Sequence, residues 1–523
     1  MSMSAAGDYL WFGARAVKNS IIPWTSEYED LLRDESRCIG TATSVSFPES
    51  ETEVIEVLNE IRSLGQTVTT QGARTGIVGG AVPQGGHVMN LSRMKAVGEI
   101  LTDELTDESS LTIQPGALLM EIREITEKRQ LFFPPDPTET SCSIGGMVAC
   151  NASGALTFHY GPTRNWVRRL KVVLSNGDII QLSRGESYAQ GRSFSLRTEG
   201  SRIIEGRLPS YTMPQVKSAA GYYVTDNMDM LDLFIGMEGT LGIVTEIELR
   251  LIPKPLAVHG LVVFLPSQEA ALKLVRYLRG EPVDGLVSLP SRPTGIEFFD
   301  NKALDLLRKV TAEYPAFGKI PVLKPHFHTA IYTEFHDNSD EALEEAVVQA
   351  MEAVEVLGGN DEDTWYATTQ RELEPLKAFR HAVPEAVNLV IDERRRSVPR
   401  LTKLGTDMSV PNEYLETAIA MYEDGLREND LESVVFGHIG NNHVHVNILP
   451  NSLEEYERGR SLYLSWARQV VDWKGSVSAE HGIGKLKTSL LEIMYGQEAI
   501  AEMRALKKLF DPGMILNPGN LFQ

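Results

Sequence analysis

Cysteine is scarce in this chain: three of 523 residues, Cys38, Cys142 and Cys150, with no CxxC pair among them. That excludes an iron–sulfur or zinc-ribbon signature and a disulfide framework. If the protein handles electrons, they must leave to a partner or to oxygen. Long hydrophobic runs are missing as well, and no apolar stretch reaches the roughly 18 residues of a membrane span. The opening MSMSAAGDYLWFGARAVKNS has no basic start followed by an apolar core, so no secretory leader is expected. The sequon at Asn151 therefore has no glycosylation context. Positive charge is outweighed, with 50 Lys and Arg against 71 Asp and Glu and a net charge of −21. Such a surface repels phosphate backbones, and nucleic acid is not an expected partner. No Walker motif occurs, no GxGxxG with its distal acid, and no short repeat. A cytoplasmic location is expected, with peripheral membrane association as the alternative.

What is present is ordinary globular composition, 42% hydrophobic and 23% charged, in a chain long enough for two or three domains. Residues 41 to 255 alternate helical and strand patterns. ETEVIEVLNEIRSLG carries apolar residues at helical spacing, and QTVTTQG follows as a strand. KVVLSNGDIIQL is a hairpin around Asn176–Gly177, a pair suited to positive φ. GTLGIVTEIELRLIPKP is a strand closed by Pro253 and Pro255. From about residue 256 longer helices such as DEALEEAVVQAMEAVEVLG alternate with β-rich runs such as HFHTAIYTEF. The last forty residues hold the helix AIAEMRALKKLF and a Pro/Gly-rich tail. The expected fold class is α+β, divided at 1–255, 256–480 and 481–523.

Two glycine-rich segments stand out. QGARTGIVGGA follows a strand and suits close approach of backbone N–H groups to a pyrophosphate. A structural turn explains it equally well. In the second, starting at Pro134, small residues including Gly145, Gly146, Asn151, Ser153 and Gly154 leave room for a large planar or phosphorylated ligand.

The run VVFGHIGNNHVHVNILP carries the chemistry. With Asn441 and Asn442 as a two-residue turn, His438 pairs with His445, close enough for two imidazoles to share a metal ion. Strand alternation puts His443, His445 and Asn447 on one face and Val444, Val446 and Ile448 on the other. A lone histidine is usually structural; three within eight residues are not a routine core pattern. Zinc, manganese and iron(II) all accept such ligands, zinc being the first expectation. SVSAEHGIGKLK adds Glu480 beside His481. A carboxylate there completes a two-histidine, one-carboxylate site with positions open to substrate, although an exposed helix cap would read the same way.

The order of the glycine segments and GMEGTLGIVTEIELRLIPKP resembles the FAD-binding domain of the vanillyl-alcohol oxidase/p-cresol methylhydroxylase superfamily. The resemblance implies two α+β subdomains holding FAD at residues 1–255, after an N-terminal extension. A substrate-binding cap follows, and then a C-terminal segment returning to the FAD domain. It places Arg74, Thr75, Gly76, Ile77, Gly79 and Gly80 over the pyrophosphate. Around the cofactor it places Pro135, Asp136, Thr138, Gly145, Gly146, Asn151, Ser153, Tyr160, Gly161, Glu238, Gly242, Ile243 and Asn520. The glycine loop contains no histidine for covalent attachment, so noncovalent FAD is expected.

The histidine run and the Glu480 segment are similar to the D-lactate, glycolate and D-2-hydroxyglutarate dehydrogenase branch, which reads GHxGDGNxHxN and then SxEHGxG. This resemblance implies His438, His445 and Glu480 as metal ligands and Asn447 as a substrate contact. His481 becomes the catalytic base and Arg380 the clamp for the substrate carboxylate. TDMSVP at 406 to 411 fits the branch too. One departure is plain: Asn441, Asn442 and His443 replace Asp-Gly-Asn. The expected activity is oxidation of a D-2-hydroxy acid, with a flavoprotein, cytochrome, quinone or oxygen as acceptor and a homodimer as the guessed assembly. Rival expectations are an FAD-dependent alcohol, aldose or aromatic alcohol oxidase and a non-catalytic flavin-binding subunit.

Overall fold

Apolar spacing builds the first unit. Val54, Val57, Leu58 and Ile61 line one face of the helix Glu51–Ser63, whose N-terminus Ser50 caps by accepting from the Glu53 N–H. That face closes over a four-stranded sheet ordered Ile22–Pro23, Ser44–Ser46, His87–Asn90 and Val68–Gln71, the last three parallel. The computed structural model describes residues 21–522; the opening segment considered above as a leader lies outside them.

The second unit is antiparallel. Its order is Val97–Thr102, Ser109–Ile113, Ile243–Pro253, Val167–Val173 and Ile179–Ser183, with Leu131–Phe132 also on the long strand. Ile247, Leu249 and Leu251 of that strand are buried, and each such burial stabilises by roughly 1.5–3 kcal/mol. The expected hairpin is there, with Val173 opposite Ile179 across a five-residue loop. Only Gly177 takes positive φ (84°); Asn176 instead accepts from the Asp178 N–H through its side chain.

A third unit begins at the strand Ala257–Leu265. Its eight-stranded sheet runs Trp365–Ala367, Ala257–Leu265, Thr329–Asp337, Gly295–Phe299, Ser433–Gly437, His443–Ile448 and Leu404–Gly405, with Met408–Ser409 also on His443–Ile448. Alternate residues feed two cores. Phe264, Phe299 and Tyr332 pack with the helices Asn301–Glu313 and Gln370–Arg395. Val263, Phe298 and Ile331 pack with Gln268–Leu278 and Asp340–Val356. After the helix Thr488–Phe510, broken at Gly496, the tail rejoins the first sheet. Val68 N–H donates to Ile515 O (2.8 Å) and Asn517 N–H to Val68 O (2.7 Å). No helix among the described residues is long and apolar enough to cross a membrane.

Candidate active site

The histidine run folds as strand, turn and strand, but with a different register from the one its spacing suggests. Phe436, not His438, lies opposite His445. The connection is a longer one, a 3-10 turn over Ile439–Asn441 followed by Asn442 in the left-handed region. Two features impose it. Gly437 has φ 125° and sits against the His445 ring, where a β-carbon would come within 2.8 Å of Cδ2. Arg279 also ties down the turn, donating to Ile439 O and to Asn442 Oδ1. A slip of two residues leaves the face unchanged, since strand side chains alternate with period two. Val444, Val446 and Ile448 point into the core, and the His438 and His445 rings still meet, 5.7 Å apart between centroids.

Glu480 is the centre of the cluster. Its Oε1 lies 3.2 Å from His438 Nε2, 3.4 Å from His445 Nε2 and 3.5 Å from His481 Nε2. Its Oε2 accepts from Lys217 Nζ at 2.6 Å and from Ser153 Oγ at 3.3 Å. Burial alone would raise this carboxyl; His438, Lys217 and His443 hold it well below the usual range.

Each imidazole is backed by an oxygen. His438 Nδ1 lies 2.7 Å from Glu297 Oε1, His445 Nδ1 lies 3.0 Å from Thr406 O, and His481 Nδ1 lies 3.2 Å from Asp407 Oδ2. Burial lowers His438, but Glu297 and Glu480 more than reverse it, raising the ring to about 9. Any cation entering here must displace that proton. Asp407 is wholly buried and carries Lys487 at 2.6 Å as well as the Glu480 and His481 backbone N–H groups. Burial opposes its charge, yet His481, Lys487 and His443 hold it well below the carboxylate range.

This donor set fits a divalent cation. Donors about 2.0–2.1 Å from a tetrahedral ion lie roughly 3.3–3.4 Å apart, close to the His438 and His445 distances to Glu480. An outer oxygen beside each ring orients it and, once the His438 proton is displaced, leaves the inner nitrogen free to ligate, the usual support for a metal-ligating histidine.

Arg380, on the helix Gln370–Arg395, is buried with one guanidinium nitrogen 3.2 Å from Asp136 Oδ2. Arg123 holds the other Asp136 oxygen at 2.6 Å. Glu297 lies within electrostatic reach of both Arg380 and His438, which ties the arginine to the cluster. Asn447 is buried on the same strand as His443 and His445, opposite Val434.

The residues assigned to the flavin divide into two sets. Ala73 N–H and Gly146 N–H both donate to Ser143 Oγ, which joins the two glycine segments. Gly76, Ile77 and Thr138 are exposed in loops, Gly146 is exposed in the helix Ile144–Cys150, and Gly76 has open space beside it. Arg74, with φ 62°, donates to Asp30 O. Gly79 and Gly80 accept from Lys485 Nζ, while Thr75 flanks the exposed turn. Exposed Gly76 and Gly146, with no side chain over their backbone, fit the close approach of FAD.

The other set has its side chains engaged with protein. Asp136 pairs with the two arginines, and Glu238 accepts from the Ile483 and Gly484 N–H groups. Asn520 Nδ2 donates to Gly80 O and Glu238 O. Asn151 Oδ1 accepts from the Arg164 N–H, and Tyr160 OH lies 2.9 Å from His336 Nδ1 in the third unit. Ile243 faces a hydrophobic core, and Gly242, Gly145 and Gly161 pack against Val172, Pro115 and Asn165. Gly154 sits on the Asp136 carbonyl, where a β-carbon would overlap that oxygen, so Pro135–Asp136 and Ser153 are held side by side. Ser153 therefore reaches Glu480 from within the second glycine segment.

Sequence reasoning missed Lys217, Glu297 and Asp407. Glu297 had a signal, a lone acid in the otherwise apolar strand Gly295–Phe299. Asp407 lay unremarked within TDMSVP. Lys217 had none.

Two family models match. One, described as FAD binding domain, covers residues 42–183; the other, FAD linked oxidases, C-terminal domain, covers 254–521, more than half of the chain. A D-2-hydroxyglutarate dehydrogenase of Xanthomonas citri pv. viticola is 30% identical over 92% of this chain and 89% of its own. A D-lactate dehydrogenase of Anaerostipes hadrus is 29% identical over 94% and 92%. The glycolate oxidase subunit GlcD of Bacillus subtilis is 28% identical over 92% and 88%. Among solved structures, an alkyldihydroxyacetonephosphate synthase superposes with a TM-score of 0.64 at 14% identity, covering 96% of this chain and 82% of that one; this likeness speaks for the fold. With an FAD-binding domain at residues 42–183 and an FAD-linked oxidase domain over 254–521, the chain belongs to the FAD-linked oxidase family and is an FAD-dependent oxidoreductase.

Proposed function

We propose that the protein oxidises a D-2-hydroxy acid of the lactate, glycolate or 2-hydroxyglutarate type to the 2-oxo acid, assisted by one divalent cation. The observation that carries this reading is the Glu480 carboxylate, with one oxygen facing His438, His445 and His481 and the other accepting from Ser153 of the flavin segment. The named relatives that match over most of their length act on such acids.

When bound, FAD accepts a hydride, and a cation on His438, His445 and Glu480 supplies Lewis-acid polarisation of the substrate hydroxyl. The remaining work belongs to the chain. Arg380 binds the substrate carboxylate through the guanidinium nitrogens that Asp136 leaves free. Asn447 contacts the substrate from the strand beside the ligands. His481 takes the hydroxyl proton at Nε2, because Asp407 holds Nδ1 and so fixes the tautomer with Nε2 bare. The C2–H bond breaks as the carbonyl forms: the hydroxyl proton would pass to His481 and the hydride, with its two electrons, to the bound flavin, leaving the 2-oxo acid. Noncovalent attachment agrees with a glycine loop that offers no histidine. The cysteines are free thiols rather than a redox pair, so the electrons pass to a separate acceptor.

Anaerobic mixing with a panel of D- and L-2-hydroxy acids tests the reading. Bleaching of the flavin by one or more D acids, and by none of their L partners, is the expected result. No bleaching by any acid, together with bleaching by a simple or aromatic alcohol, would replace it.

A further inference from the structure

We propose that His443 is a fourth protein ligand, making the centre a three-imidazole, one-carboxylate site for an ion that takes five or six ligands. The inference rests on the metal-assisted reading of the same cluster and concerns the residue that departs from the family pattern.

Burial and direction argue for it. His443 has no exposed surface, and its ring centroid lies 4.5 Å from that of His445 and 5.5 Å from that of His438. One donor atom from each of His438, His443, His445 and Glu480 falls within 4.8 Å of the others; trans donors on one ion lie about 4.4 Å apart, so a small inward shift of the rings brings all four onto a single ion.

The ring is wedged between two charges. His443 Nε2 lies 3.0 Å from Asp407 Oδ1 without an aligned hydrogen bond to it, unlike His438 on Glu297 and His445 on Thr406. Its Nδ1 is thereby directed inward, 3.4 Å from Lys217 Nζ, whose ammonium rests on Glu480 Oε2. Nδ1 thus presents its lone pair to the Lys217 ammonium. An imidazole placed merely to fill the core would have no need of a carboxylate behind it and an ammonium in front. Lys217 keeps a second partner in Glu480 when a metal takes Nδ1 from it.

The fourth donor changes which metal can work. Zinc held by four protein ligands is a closed, structural centre with no position for substrate. Manganese or iron(II), with octahedral preference, keeps two positions beside four protein donors. A 2-hydroxy acid can fill both, through its hydroxyl and one carboxylate oxygen. Zinc, the first expectation from the sequence, is on this account the poorer cofactor.

The test uses the FAD-loaded protein, stripped of metal and titrated with Cu(II), with pulsed electron paramagnetic resonance counting the bound imidazoles. Three are expected in the wild type and two in His443→Asn, with the variant's Cu(II) dissociation constant raised at least about tenfold. Retained flavin absorbance confirms that the variant is folded, and the wild-type count stands without it. Two imidazoles in the wild type, or an unchanged dissociation constant in the folded variant, would overturn the assignment of His443. A wild type that takes up no metal at all would overturn the metal-assisted reading along with it.

Discussion

The two ends of the proposed site are built on opposite plans. At the flavin end, Gly76 and Gly146 are exposed glycines, and the neighbouring side chains of Asp136, Glu238 and Asn520 are occupied in holding loops to one another. At the histidine end the side chains are the site. The His438, His445 and His481 imidazoles converge on Glu480, backed by Glu297, Thr406 and Asp407 in turn. The difference teaches what each ligand demands. A large dinucleotide is accommodated by space and N–H groups, which many side chains permit. A cation and a proton transfer require particular atoms a few ångströms apart, which few do. Ser153 is where the plans meet, on a flavin loop with its hydroxyl on Glu480.

The sharpest contrast comes from His481→Ala. It removes the proposed base and nothing from the flavin end. The variant should stay yellow while flavin reduction by substrate slows by roughly 10²–10⁴-fold, measured in a stopped-flow instrument. Reduction near the wild-type rate would break the division of labour at once.

A histidine from the flavin end supplies the control. His87 is wholly buried between Ser44 and Ser46, and burial lowers it to about 4. As pH falls below about 6.5 the unfolded chain binds this proton while the folded protein refuses it. The stabilising contribution is therefore full above that point and is lost on the way down to about 4, at a cost of roughly 3 kcal/mol. Denaturant titrations across this window should show the loss, and His87→Gln should flatten it without altering metal binding. An equal acid loss in the variant would assign the effect elsewhere.

The mildest effect belongs to Glu297→Gln, which leaves every proposed ligand in place but weakens the hold on His438 Nδ1. Metal affinity should fall by about tenfold with flavin content unchanged, as read by competition with a chromophoric chelator. Unchanged affinity would separate Glu297 from the centre.

How much of this was legible in the chain follows the same contrast. His438, His443, His445, Glu480 and His481 lie in two short runs, and period-two alternation placed His443 and His445 on one face, with His438 brought to them through the expected hairpin pairing. Their hairpin register was not legible, because the backbone angle at Gly437 and the anchoring of the turn by Arg279 are tertiary facts. Lys217, Glu297 and Asp407 come from distant strands and loops, and no local pattern links them to the histidines. The fold class and the strand Ile243–Pro253 followed from alternation and closing prolines. Arg380 and Asn447 entered through resemblance, and their neighbours, Asp136 and Glu297 for the arginine, became visible only in three dimensions.

The account's central claim is that a cation on the imidazole–carboxylate cluster and the flavin act together on one substrate. Its most direct test is the rate at which a D-2-hydroxy acid bleaches the flavin of a protein that keeps its FAD but has lost its metal, verified by elemental analysis. Bleaching should cease in that form and return when the divalent ion is restored. An undiminished rate in the verified metal-free protein would contradict the claim.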